Sequence, residues 1–218
     1  MVKRFFALVL LAVIPLTVSA NGKVESIGAF TDQAASESVR NALEAKGYRV
    51  TLSDGSVLCD VWFRNGVPTR NKTDEGGVAY TELGESTLVA VISYPKATKD
   101  FRGQNVKAGS YTLRYALHPA DGNHMGIAPY RDFLVLVPID VDREAGAQYK
   151  YDELMKLSAK TNGTNHPAPL NLATTEGQKT FPSVFENEQN HVVLVAKLKT
   201  AAGGEIPIAL IVKGVAEQ

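Results

Sequence analysis

Near the middle of the chain, two strand-forming runs lie close together, at residues 111–117 and 133–137. In the first, Tyr111, Leu113, Tyr115 and Leu117 alternate with Thr112, Arg114, Ala116 and His118. A period of two puts one set of side chains on each face of a sheet, so this strand buries one face. The second run is apolar throughout, from Phe133 to Ile139, and needs cover on both faces. Such a strand cannot sit in a single exposed sheet. The fold must place further layers above and below it.

Other segments supply those layers. Thr31 or Asp32 can cap a helix whose apolar stripe is Ala35, Val39, Ala42 and Leu43, with Gly47 as its stop. Residues 48–52 and 56–64 flank Ser53-Asp54-Gly55, and Asp-Gly is favoured where a hairpin turn needs positive φ. Residues 87–94 form a further strand. A short helix over 152–160 is expected to be capped by Asp152 and ended by Asn162-Gly163, with a long loop from Pro167 to Asn190 after it. The chain closes on a hairpin, 191–200 and 206–213, turning at Gly203-Gly204. The pattern predicts a mainly β fold, a single antiparallel β-sandwich with two short helices and long loops, spanning residues 21–218. No internal repeat or linker divides it.

The first 20 residues read differently. Lys3 and Arg4 precede an apolar run of about ten residues, and Val18-Ser19-Ala20 has the small residues a signal peptidase accepts. That run is shorter than the roughly 20 residues a membrane span requires, and no later segment approaches that length. A signal peptide over residues 1–20 implies export, to a periplasmic or extracellular location. Without Lys3 and Arg4, 21 basic side chains face 23 acidic ones, a formal charge of −2. That balance argues against nucleic acid or an anionic membrane surface as partner. The single cysteine, Cys59, has no internal disulfide partner and alternates with Val57, Val61 and Phe63, so it reads as a small buried residue.

Several enzyme signatures are missing: a Gly-x-Ser-x-Gly elbow, a phosphate-cradling glycine loop, His-Glu-x-x-His and Cys-x-x-Cys. Two constellations remain as candidates. Trp62 shares a strand face with Asp60 and Arg64, an aromatic surface beside charged groups that suits stacking on a sugar or other flat ligand. Its alternative is packing beneath the N-terminal helix, with Asp60 and Arg64 paired at the rim. Between the two central strands, His118, Asp121 and His124 lie in one polar loop, with His166 and Asp132 as further donors. Imidazole and carboxylate suit zinc or copper, and the thioether of Met125 would favour copper. The competing reading is a polar turn around Asp121-Gly122. His191, opening the C-terminal strand, reads as an exposed strand end.

Ala108-Gly109-Ser110-Tyr111-Thr112-Leu113-Arg114-Tyr115, Pro119-Ala120-Asp121-Gly122-Asn123-His124, Arg131-Asp132-Phe133-Leu134, Gly47-Tyr48-Arg49-Val50 and Trp62-Phe63-Arg64 resemble a group of secreted bacterial β-rich proteins of unassigned function. The resemblance covers about a third of the chain and implies no substrate or residue role. Three functions remain open: a non-catalytic module for an unknown ligand, a metal-binding protein or metal-dependent enzyme using the loop 118–124, and an interaction protein with an envelope partner. Export itself is testable. N-terminal sequencing of the exported protein is expected to begin at Asn21, and retention of Met1 on exported protein overturns the assignment.

Overall fold

The computed structural model describes residues 22–120, 128 and 130–216. In chain order its elements are β1 (Lys23–Ile27), α1 (Glu37–Asn41), β2 (Gly47–Thr51), β3 (Val57–Phe63), β4 (Leu88–Tyr94), β5 (Thr98–Lys99), β6 (Asn105–Val106), β7 (Gly109–Leu117), β8 (Asp132–Pro138), α2 (Tyr151–Ala159), β9 (Pro169–Ala173), β10 (Ser183–Glu186), β11 (Val192–Lys199) and β12 (Glu205–Lys213). Ten strands form one sheet in the order β1-β2-β3-β4-β7-β8-β9-β12-β11-β10, and β5 and β6 pair separately. All neighbours in the large sheet are antiparallel. The sheet curls until its edges, β1 and β10, come into contact. The result is a barrel-like sandwich, mainly β with two helices among the described residues.

Alternation fills the interior. Val50, Cys59, Val61, Phe63, Ile92, Leu113, Tyr115, Leu134, Leu136, Leu172, Leu194 and Leu210 belong to one fully buried cluster. Each Val or Leu removed from water contributes about 1.5–3 kcal/mol. Cys59 lies within this core, and burial pushes its thiol pKa up. The outer face is covered in patches. Trp62 and Val91 lie under Phe30, Val39, Leu43 and Ile139. On β8, Phe133, Val135 and Val137 pack against Leu154 of α2, so this strand is apolar on both faces for the reason its sequence suggests.

Two helices form where helical patterns stand, with altered ends. Ser36, not Thr31 or Asp32, caps α1 by accepting from Val39 N at 3.2 Å. The helix stops at Asn41 because the following residues join the sheet: Leu43 bridges Arg64, and Glu44 N donates to Phe63 O at 2.9 Å. Asp32 instead accepts from the Ser110 hydroxyl at 2.7 Å. At α2, Lys150 is the N-cap residue, and Asp152 sits exposed in the first turn. Gly163 (φ +69) closes its C-terminus by donating to Ala159 O at 3.1 Å. The expected loop 167–190 contains β9 and β10, and β1 was likewise not legible as a strand.

One charged side chain organises the outer layer. Arg114 projects from the outer face of β7 and is 0% exposed. Nε and Nη2 donate to the two oxygens of Asp142 at 2.6 and 2.9 Å. The remaining donors reach the carbonyls of Ser86 (2.6 Å), Ala147 (3.0 Å) and Glu144 (2.6 Å), so all five N–H groups are used. Asp142 also accepts from Thr112 Oγ1 at 2.6 Å and Tyr149 OH at 3.2 Å. The segment after β8 is therefore bound flat against β7. Asp132 does comparable work inside the barrel, accepting from Ala79 N, Tyr80 N and Tyr115 OH at 2.7–2.9 Å. These bonds hold residues 79–80 over that end of the barrel.

A third buried carboxylate is less well matched. Asp100, in the β5–β6 turn, accepts from Arg102 N and Gln104 N at 2.9 Å through Oδ1. Its Oδ2 is buried without a hydrogen-bond partner among the described residues. Burial raises the Asp100 pKa, against the opposing effects of those backbone N–H bonds, the Asn162 side chain and the Arg102 charge.

Two predictions rest on these carboxylates. Asp142→Asn should lower stability by about 3–5 kcal/mol in urea unfolding, because it strands a buried guanidinium. Replacing both partners, Arg114→Met with Asp142→Leu, should recover most of the loss. For Asp100 the folded-state pKa lies above the unfolded value. Its favourable contribution is present below the unfolded pKa of about 3.9 and is lost as pH rises through the folded pKa. The stability of Asp100→Asn relative to wild type should therefore increase as pH rises from about 4 through the folded pKa. A pH-independent difference would show that the carboxylate is solvated.

Candidate functional site

The side chains singled out in the sequence do not form an open site. Trp62 is 7% exposed, its indole Nε1 donating to Gly28 O at 2.8 Å and its ring meeting Phe30 edge-on at 5.0 Å. The expected stacking platform is covered by the segment that leads into α1. Asp60 is held by a bidentate bond from Arg49 at 2.7 and 2.8 Å, not by Arg64. Arg64 donates to Ala145 O at 3.3 Å, and burial and the nearby Arg114 guanidinium lower its pKa. All three lie on one face, as the alternation implies, but each serves a separate packing contact.

The proposed metal donors are likewise apart where they are described. The half-buried ring of His118 stacks on Phe133 at 4.2 Å, and its Nε2 lies 3.5 Å from Asn171 Nδ2. Asp132 cannot join it. Asp132 pairs with Leu117 on the inner face, whereas His118 and Phe133 stack on the outer face. His166 is exposed, beyond α2. Asp121, His124 and Met125 lie outside the described residues. Among the described residues, no group of three His, Cys, Asp or Glu side chains is placed to hold a metal ion.

His191 was expected at an exposed strand end, yet it is 6% exposed. Phe101 meets its ring edge-on at 5.3 Å, and Gly214 lies against its other side. A Cβ at position 214 would come within 2.4 Å of the imidazole Cδ2, so only glycine allows this approach. Nε2 lies 3.1 Å from Val215 O, and Ala216 N donates to Phe101 O at 2.9 Å. Together these contacts fasten the C-terminal segment to the β5–β6 turn.

The fastened segment forms one wall of a groove of about 520 Å³. Its other walls come from Thr98 and Lys99 of β5 and from the β10–β11 turn at Gln189 and Asn190, with His191 between and Lys213 at the rim. Asn187 Oδ1 accepts from Gln189 N and His191 N at 3.1 and 2.9 Å, and Asn190 (φ +59) completes the turn. Two exposed lysines enter the lining, which contains no carboxylate. Among the described residues, neither Lys99 nor Lys213 is bonded to a carboxylate within 4 Å. Two ammonium groups, Lys213 acting also on the more distant Asp54, lie beside amide and hydroxyl donors in a setting that can accept an anion.

Sequence reasoning missed this groove because its parts come from residues 97–99, 189–191 and 213–215 and form no local motif. The one available signal was the pair of single lysines at the ends of strand patterns, Lys99 and Lys213. No helix among the described residues is long and apolar enough to cross a membrane. Compared with known proteins, the chain matches no protein-family model, no curated protein and no solved structure.

Proposed function

We propose that this protein is an exported, non-catalytic binding module that holds a small ligand bearing a carboxylate or phosphate group between Lys99 and Lys213. The observation that carries this reading is the pair of lysines lining one groove whose own walls contain no carboxylate. The filled barrel interior supports an external site, since its inward side chains already occupy that space. The engagement of Arg114, Asp142 and Asp132 in structural hydrogen bonds supports binding rather than acid–base chemistry. The leader-like segment Lys3–Ala20 supports export.

The expected affinity is modest. An exposed ion pair at 4 Å contributes about 1 kcal/mol in water, and salt at 0.1 M screens it beyond about 10 Å. Calorimetric titration with citrate and with inorganic pyrophosphate distinguishes a carboxylate from a phosphate ligand. One of them should bind at low ionic strength and weaken as salt is added. Lys99→Glu combined with Lys213→Glu should weaken that binding at least tenfold, about 1.4 kcal/mol, with little change in thermal stability. No binding tighter than about 1 mM by either probe, or equal binding by the double variant, overturns the reading.

A further inference from the structure

Asn190 and Lys213 are not confined to the lysine groove. Both residues also line a second hollow of about 230 Å³ at the same end of the barrel. Its walls have a different character. Leu52, Phe185 and Val192 supply apolar surface, and Asp54 and Glu186 supply carboxylates. Asp54 Oδ1 accepts from Ser56 N and Oγ at 2.8 and 2.6 Å, which fixes its side chain in the β2–β3 turn. These bonds, led by that from the Ser56 hydroxyl, together with Lys213, lower the Asp54 pKa. Glu186, at the end of β10, is exposed and makes no side-chain hydrogen bond among the described residues.

Three apolar side chains beside two carboxylates, in a lining that is otherwise polar, suit a hydrocarbon stem carrying a cation. A lysine side chain has that form, four methylenes and an ammonium. The adjoining groove matches the opposite charge. A ligand spanning both must carry an anion at one end and a stemmed cation at the other.

We propose that the ligand is a short peptide segment whose free C-terminal carboxylate lies between Lys99 and Lys213 and whose preceding basic side chain enters the hollow lined by Leu52, Phe185, Asp54 and Glu186. This rests on the anion-binding reading and extends it to a ligand class. Lys213, shared by both hollows, favours the carboxylate and disfavours a cation placed too near it. The arrangement therefore fixes the direction of the peptide as well as its composition.

Three probes test this by calorimetry: N-acetyl-Lys-Ala, its C-terminal amide, and the norleucine counterpart N-acetyl-Nle-Ala. Wild type should bind the lysine acid at least tenfold more tightly than either of the others. Glu186→Gln should reduce the preference for lysine over norleucine while leaving norleucine-peptide affinity unchanged. Equal binding of the lysine and norleucine acids overturns the inference and leaves the anion site intact. Equal binding of the acid and the amide overturns the anion reading beneath it. Binding of citrate or pyrophosphate with no peptide binding overturns the peptide assignment alone.

Discussion

A guanidinium on a β-strand face must either reach water or be surrounded by acceptors, and in this protein Arg114 is surrounded. Its five donors need acceptors that β7 cannot supply, because the strand's own carbonyls are committed to its neighbours. The segment following β8 provides most of them, through Asp142, Glu144 and Ala147. Once it is held there, α2 follows at a fixed place and covers the outer apolar face of β8. Removing a charge from water is costly by itself. The return is positional: a connection of a dozen residues, from Pro138 to Tyr151, acquires one conformation.

The same economy of space directs where a ligand can go. A nearly closed sheet of this size encloses a volume that either stays open for a ligand or fills with side chains. Here Tyr94, Tyr115, Phe63 and a dense set of leucines and valines fill it. In the proposed reading, recognition falls to the ends of the strands, where turns of different origin meet. The end carrying Lys99 and Lys213 is built from segments far apart in the chain, and the C-terminal residues complete it because His191 and Phe101 hold them.

How legible all this is from the sequence follows the locality of each cause. Asp54-Gly55 and Gly203-Gly204 mark the hairpins β2–β3 and β11–β12 because turn chemistry acts within a few residues. The doubly apolar run of β8 announces its two-sided burial for a similar reason. β9 escapes notice because Pro169 opens it and Asn171 interrupts its apolar pattern, although Asn171 is buried. β1, with Lys23 and Glu25, lacks the apolar alternation of a half-buried strand. Trp62 shows the limit most clearly. Its strand face is readable, but its cover by Phe30 and the Gly28 carbonyl depends on a loop returning from 34 residues earlier. Lys99 and Lys213 carry no signal of their proximity, since nothing short-range connects them.

The meeting of β1 with β10 carries a consequence for how the molecule comes into being. These edges lie at opposite ends of the chain, residues 23–27 and 183–186, so the barrel cannot close until most of the polypeptide is available. Contacts of such large sequence separation slow folding, because chain entropy is lost before they form. In the interval β1 presents an open edge, the kind of surface on which strands of other molecules pair. Lys23 and Glu25 place charge along that edge, and their pairing at 2.6 Å leaves both side chains largely exposed. Charge on these two residues thus works against mispairing while the barrel is unfinished: a chain emerging N-terminus first is charged where it remains unpaired longest.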